Sequence, residues 1–338
     1  MADSSTAHVL KLGTYVTALA GVFKRASSKH EAHYRSRAIL ADMSADPSVL
    51  TAALAKHLAS SGALNTKHYP VIGLDIELNP NFGLVANCWI PLPDGATNIS
   101  TKAIHHHGDM LLTTVTAFGP GYEHWTFTRP AEIDSRAELY SMEVIERAPH
   151  PLHHVAFVDS YIAHLPLYPP SLTITLALWS SQHATTWKDR LKRAAIVRGH
   201  REALRGLAAR AGLRKALDLK IVEYFDFCPT PDGFRGLKER TEFERGPNDD
   251  YLFSLFHILQ QTGNESLTAL IEQQLASTAP VEHPELIRHL TRDLRMGHAI
   301  AGRLSPGHFG VPHANFTRQD IERALAIQHI RRAPAAAA

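Results

Sequence analysis

Between Tyr69 and Trp179 the chain alternates short apolar and polar runs with Gly- and Pro-containing breaks, and this pattern limits the fold more than any other feature. Successive side chains leave a strand on opposite faces, so runs of this length with period-two alternation predict half-buried strands. Val71–Leu78 and Phe82–Ile90 flank the turn Asn79-Pro80-Asn81, and Pro91-Leu92-Pro93-Asp94-Gly95 breaks the chain before Thr101–His107. Met110–Phe118 follows, then the tight turn Gly119-Pro120-Gly121, then Tyr122–Thr128, Val144–Ala148, Val155–Ser160, Tyr161–Leu167 and Leu172–Trp179. Many short strands at close spacing predict an antiparallel barrel or sandwich.

Helical periodicity flanks this region. Apolar residues recur at Leu10, Leu12, Val16, Leu19, Val22 and Phe23, and Tyr34–Leu40 continues in the same style. Asp46-Pro47-Ser48 reads as the start of a helix over Val49–Leu58, ended by Ser60-Ser61-Gly62. Beyond Ser180 the sequence predicts a basic helix over Leu191–Leu217, a strand over Lys220–Phe227, a charged turn-rich stretch over Phe234–Asp250 and a helix over Asn248–Gln261 stopped by Gly263. Further helices are expected over Glu265–Ala276, Pro284–Ala301 and Thr317–Ile330. The expected organisation is therefore α+β, with a helical segment over 1–66, a barrel over 67–185 and a mainly helical region over 186–338.

Composition narrows the function classes. A net charge of +2 over 338 residues gives no general argument for nucleic-acid or membrane binding. The basic residues between Lys188 and Lys220 fall at the spacing of a solvated helix face without interleaved aromatics, which argues against a nucleic-acid footprint. Cys88 and Cys228 are too far apart in sequence to suggest a disulfide framework or zinc ribbon. Residues 1–11 lack an apolar leader and no stretch reaches the length of a membrane span, so a cytoplasmic protein is expected. Gly119-Pro120-Gly121 lacks the context of a phosphate-binding loop, and neither GxSxG nor a Cys-His arrangement is legible.

The chemistry-bearing stretch is Ile104-His105-His106-His107-Gly108. On a strand His105 and His107 share a face and His106 takes the other, so His106 is expected in a second layer or at the surface. A second strand entering at His164 can bring the third nitrogen of a metal site with open positions. Of Glu123 and His124, adjacent after the glycine turn, one must face inward, either to orient a ligand imidazole or carry a proton, or simply to satisfy a structural hydrogen bond. Tyr122, Trp125, Phe127 and Trp179 are candidate pocket linings, although aromatics on strands more often pack in a core. His153 and His154 occupy opposite strand faces, and His150 and His183 are expected at the surface or in loops. Arg235, Lys238, Arg240 and Arg245 form a cationic stretch neutralised by Glu239, Glu242 and Glu244, with a substrate clamp as the alternative; His308 and His313 are candidates for a lid.

Ile104-His105-His106-His107-Gly108 resembles the first cupin motif, in the Ile-His-x-His-Gly form of thiol dioxygenases related to cysteine dioxygenase. Phe82–Ile90 with Pro91 and Gly95 resembles the strand and turn before that motif, and Ala163-His164 followed by Leu172–Ser181 resembles the second motif. The resemblance spans about a third of the chain. It implies a small antiparallel barrel, or double-stranded β-helix, holding one Fe(II) on His105, His107 and His164, with O2 as co-substrate. Leu111 and Leu112 stand where many cupins place a carboxylate ligand, which favours the three-histidine type. Thr175, Ala177 and Trp179 stand where the thiol dioxygenases carry a Ser-His-Tyr relay, no arginine lies in Val71–Ile90 to clamp a carboxylate, and Cys88 precedes the histidines. Cysteine itself is therefore not the expected substrate.

The expected function is O2-dependent oxidation of a small molecule, with His105, His107 and His164 as ligands and Tyr122, Glu123 and His124 as candidate catalytic residues. The alternatives are isomerase, lyase or hydrolase chemistry on Zn, Ni or Mn, and a non-catalytic cupin that binds a small ligand. No nucleic-acid or membrane partner is expected. The flanking helices are expected to shape substrate access or to build a homodimer.

Overall fold

The computed structural model describes residues 4–67, 71–92, 97–100, 103–181, 225–237, 246–277, 280–303 and 316–332. The basic helix expected over Leu191–Leu217, the start of the strand at Lys220, and His183, Lys238, Arg240, Arg245, His308 and His313 lie outside the described residues.

Three helices open the chain: α1 (Ser4–Arg25), α2 (Lys29–Ala45) and α3 (Pro47–Leu58). Ser28 caps α2 by accepting from the Glu31 amide, and Asp46 caps α3 by accepting from the Ser48 amide with Pro47 in the first turn. The strands are β1 (Val71–Leu78), β2 (Gly83–Trp89), β3 (Ile99–Ser100), β4 (Ile104–His106), β5 (Met110–Phe118), β6 (Tyr122–Phe127), β7 (Ala131–Asp134), β8 (Leu139–Ser141), β9 (Val144–His150), β10 (Val155–Val158), β11 (Ala163–Pro166), β12 (Thr173–Ser181), β13 (Phe225–Thr230), β14 (Gly233–Leu237) and β15 (Phe316–Thr317). Helices α4 (Asn248–Gln261), α5 (Thr268–Leu275), α6 (Pro284–Arg295) and α7 (Arg318–Arg332) complete the described chain.

One sheet has the order β1-β2-β12-β5-β10 and the other β7-β8-β14-β13-β4-β11-β6-β9. The segment β4-β5-β6 pairs antiparallel with β9-β10-β11 as one long ribbon. β4 pairs with β11 and β6 with β9 in the second sheet, while β5 pairs with β10 in the first. A two-stranded ribbon whose successive pairs alternate between sheets is a double-stranded β-helix, and its winding makes one face of each sheet an interior. The fold is thus α+β, an antiparallel barrel or sandwich flanked by helices.

Alternation assigns the faces. Leu84, Ala86 and Cys88 of β2 and Ile174, Leu176 and Leu178 of β12 join α1, α2, α3, α4, α5 and α6 in one apolar core. The outer face of the second sheet forms a separate core, where Ile104, Trp125, Phe127, Ala163, Leu165 and Phe227 pack against Ile321 and Ala324 of α7. His33 is buried under the first sheet with its polar atoms met: its ring nitrogens lie 2.8 Å from Thr113 Oγ1 and 2.9 Å from Ser180 Oγ.

Two differences from the sequence expectation concern strands. Within the stretch expected to be charged and turn-rich, Gly233–Leu237 is a strand that hairpins with Phe225–Thr230. That hairpin then pairs with β4, so strands from beyond residue 185 belong to the barrel's own sheet. The short strands Ala131–Asp134 and Leu139–Ser141, not expected from sequence, extend its edge. No single described helix is long and apolar enough to cross a membrane; α2 and α3 reach that length together, but they are bent by 84° and packed in the first core.

Candidate metal centre

β4 is only three residues long and Gly108 leaves it with φ 61°, a left-handed conformation that costs glycine little. That bend lets His107 follow His105 on one side. β11 lies antiparallel beside β4 with His164 directly opposite His105, and directly opposed residues share a face. Ring centroids are 4.9 Å apart for His105 and His107, 4.4 Å for His105 and His164, and 5.0 Å for His107 and His164. One nitrogen from each ring lies within 4.8 Å of the other two.

The tautomers follow from the backbone. His105 Nδ1 lies 2.8 Å from the Ala103 carbonyl and His164 Nδ1 lies 3.5 Å from the Ile162 carbonyl, the first a firm and the second a long hydrogen bond. An Nδ1–H donated to a carbonyl leaves the Nε2 lone pair to face the other rings, the usual supporting arrangement of a ligating imidazole. A metal bound at ~2.1 Å by three such nitrogens needs them roughly 3.0–3.4 Å apart, so small ring rotations close the present set onto an ion. The donor set suits Fe(II), Zn, Ni or Mn.

His106 takes the opposite face, as period two requires. It is buried rather than at the surface, stacked on Phe225 at 4.5 Å and 14°, and it accepts from the Gly108 amide. Burial and the nearby Arg129 push its pKa down to about 4.

The turn Gly119-Pro120-Gly121 fixes the register of β6. Both glycines have positive φ, 81° and 84°, and a Cβ on either would run into the carbonyl oxygen of Leu172 or His150. From this turn Tyr122 and His124 enter the interior, and the His124 ring lies 5.7 Å from that of His164. Desolvation, with the neighbouring His150 and His154, lowers the His124 pKa to about 3, so its imidazole is neutral near pH 7. Tyr122 sits 5.2 Å from both Trp89 and His150, and burial raises its pKa, which keeps its hydroxyl protonated.

Glu123 faces the other way. It accepts from Trp125 Nε1 at 2.5 Å, Arg147 Nε at 2.8 Å and Arg318 at 2.6 Å, and the structure does not bring it to the three histidines. Trp125 and Phe127, candidate pocket linings for which core packing was the commoner role, are in the apolar core under α7, on the opposite face of β6 from Tyr122 and His124. Trp179 lies on the interior register of β12, over Gly83. Arg235 is exposed on β14 rather than in a loop.

His150 is not the surface residue expected. β9 continues two residues past Ala148, and His150 is buried between Thr114 Oγ1 at 2.9 Å and Thr116 Oγ1 at 2.8 Å. Desolvation lowers its pKa to about 4, and the His154 ring lies 5.2 Å away. His153 has left-handed φ and its Nδ1 meets Ser44 Oγ at 3.0 Å, on the α2 side. Asp226 also escaped sequence reasoning. It is buried and directly opposite His105 on β13, and the signal for it was a lone carboxylate between two aromatics, Phe225-Asp226-Phe227, on a strand.

No protein-family profile matches the chain, and no curated protein matches it. Solved structures similar in part include the TT1209 protein of Thermus thermophilus, at 13% identity over 34% of this chain and 90% of that one, with a TM-score of 0.23. A Klebsiella pneumoniae protein with a double-stranded β-helix domain aligns at 11% identity over 34% and 75%, TM-score 0.21. A Bordetella pertussis cupin domain aligns at 8% over 35% and 99%, TM-score 0.20. Likeness this low transfers no property, and the fold assignment rests on the strand pairing itself.

Proposed function

We propose that this chain is a cupin-type metalloenzyme that holds one Fe(II) on His105, His107 and His164 and uses O2 to oxidise a small molecule. The observation that carries the reading is the convergence of three imidazole nitrogens within 4.8 Å, from two paired strands, inside the barrel. Gathering imidazoles in this way is costly as a mere packing solution, because three rings give up hydration to aim their nitrogens at one point. When bound, the ion supplies Lewis acidity and one-electron chemistry that side chains lack.

The remaining roles belong to the chain. His124, held neutral by burial, offers a hydrogen bond to a group entering beside His164 without adding charge. The protonated Tyr122 hydroxyl, two residues before His124 on the same strand and in reach of Thr114 and Thr175 of the facing sheet, is a fixed donor. His105 and His164 are buried inside the barrel, where poor screening by water strengthens these interactions. The substrate is a small molecule, and neither nucleic acid nor membrane enters this reading.

Zn, Ni or Mn on the same nitrogens would support isomerase, lyase or hydrolase chemistry instead, since three neutral imidazoles accept several divalent ions. The deciding experiment measures metal in full-length protein purified without added metal, beside His105→Ala and His164→Ala, and follows O2 uptake after Fe(II) addition with extract-derived small molecules. Near-stoichiometric iron that both substitutions abolish, with substrate-triggered O2 uptake, is expected. Turnover without O2 would move the assignment to Lewis-acid chemistry. Metal retained in both variants would remove the centre altogether.

A further inference from the structure

We infer that Asp226 is the anionic member of this centre: its carboxylate lowers the net charge of a dication bound by His105, His107 and His164 and strengthens the binding of that ion. The inference rests on reading the three histidines as a metal site. β13 pairs antiparallel with β4 so that Asp226 opposes His105, Phe225 opposes His106 and Phe227 opposes Ile104. Directly opposed residues share a face. The outward set agrees, since Phe225 stacks on His106 and Phe227 packs with Ile104 in the core under α7. Asp226 therefore lies on the interior face with His105.

β11, on the other side of β4, places His164 opposite His105, and β6 places Thr126 opposite His164. Asp226, His105, His164 and Thr126 thus form one row across four strands of the interior, and all four are buried. Opposed Cβ atoms in such a ladder are about 4.5–5.5 Å apart, which brings the carboxylate beside any ion held by His105.

The Asp226 carboxylate is 5% exposed, so water screens its charge little and a dication held nearby feels it. Three neutral imidazoles bring no charge of their own, so the carboxylate and a dication here stabilise each other. The nitrogens that converge within 4.8 Å belong to the histidines and not to Asp226, and contact is not required: in an interior poorly screened by water, charge acts across several ångströms. The carboxylate reaches the site from a hairpin more than a hundred residues downstream of the histidine pair, while Leu111 and Leu112 occupy the positions just after that pair.

The test titrates Co(II) into metal-free full-length protein, with affinity read by calorimetry and by Co(II) visible absorption. Asp226→Asn is expected to bind about 10–100-fold more weakly at unchanged stoichiometry, in the range of carboxylates that support a metal site from outside the ligand set. Asp226→Ser, smaller, gives a second neutral variant if the amide disturbs packing, and is expected to show the same loss. Asp226→Glu, which keeps the charge, is expected to recover most of the affinity. Wild-type affinity in the neutral variants, with His105→Ala abolishing binding, overturns this inference and leaves the centre standing. Co(II) binding that survives His105→Ala overturns both.

Discussion

The two faces of the eight-stranded sheet are built from the same strands and do opposite work. On β6, Trp125 and Phe127 point out into the apolar core under α7, while Tyr122, His124 and Thr126 point in. On β4, Ile104 and His106 point out and His105 points in. The outward residues release apolar surface from water and gain stability. The inward residues lose hydration: desolvation is the first cause of the low pKa of His124 and of His150, so the interior opposes folding where it serves chemistry. Period-two alternation lets one strand carry both, at the cost of making function depend on register.

The largest effect separating the faces is expected at Trp125. Its ring is almost fully buried, stacked at 6.1 Å on Phe127 and covered by Arg147 at 4.6 Å. Trp125→Ala is expected to lower unfolding free energy by about 3–5 kcal/mol, the cost of emptying a large aromatic site. Urea unfolding measures it, and Co(II) affinity per folded molecule is expected to stay at the wild-type value. A variant of unchanged stability that no longer binds metal would show that the two faces are not separable.

A smaller effect distinguishes a histidine kept for structure from those of the interior. His33 lies between α2 and the first sheet with both nitrogens hydrogen-bonded to hydroxyls, and burial lowers its pKa to about 3, with Lys29 and His30 adding to the shift. Because the folded value lies below the ordinary 6.5, the unfolded chain binds the extra proton. Stability from this residue is complete above pH 6.5 and is lost as pH falls from there towards 3. The slope is about 1.4 kcal/mol per pH unit for one proton. His33→Gln is expected to flatten the acid limb by up to that amount between pH 6 and pH 4, measured by urea unfolding across pH. An unchanged slope would mean that His33 is not held neutral.

What was legible in the sequence follows the range of the signal. His105 and His107 could be paired from spacing alone, and His106 assigned to the other face, because period two is local. His164 could be added because strand and turn signals around it are also local. The β13–β14 hairpin could not be joined to β4, since pairing between residues so far apart in sequence is decided by tertiary packing. Asp226 was lost with it. His150 was misread because Pro149 looks like the end of a strand, whereas β9 runs on and the Thr114 and Thr116 hydroxyls take up the imidazole. Core or pocket could not be decided for Trp125 and Phe127 from sequence, because the glycine turn marks where β6 begins without saying which parity faces in.

The smallest expected effect falls on Glu123, which sequence reasoning grouped with Tyr122 and His124 as candidate chemistry. In the structure its carboxylate joins Arg147 of β9 to Arg318 of α7 at 2.8 and 2.6 Å, and all three side chains are partly exposed, at 26%, 41% and 31%. Ion pairs so open to solvent are screened and offset by the entropy of ordering long side chains, and each contributes about 0.2–1 kcal/mol. Glu123→Gln keeps the shape and an acceptor for the Trp125 indole N–H while removing the charge. A loss of no more than about 2 kcal/mol for the two pairs together is expected, shrinking further as salt rises, because added ions screen the Coulomb attraction that the variant lacks. Co(II) affinity and metal content are expected to match wild type, since the carboxylate and the three imidazoles stand on opposite faces of the sheet. A variant that folds normally but loses metal would place Glu123 on the interior and shift the register of β6 by one residue, exchanging His124 for Glu123 at the centre.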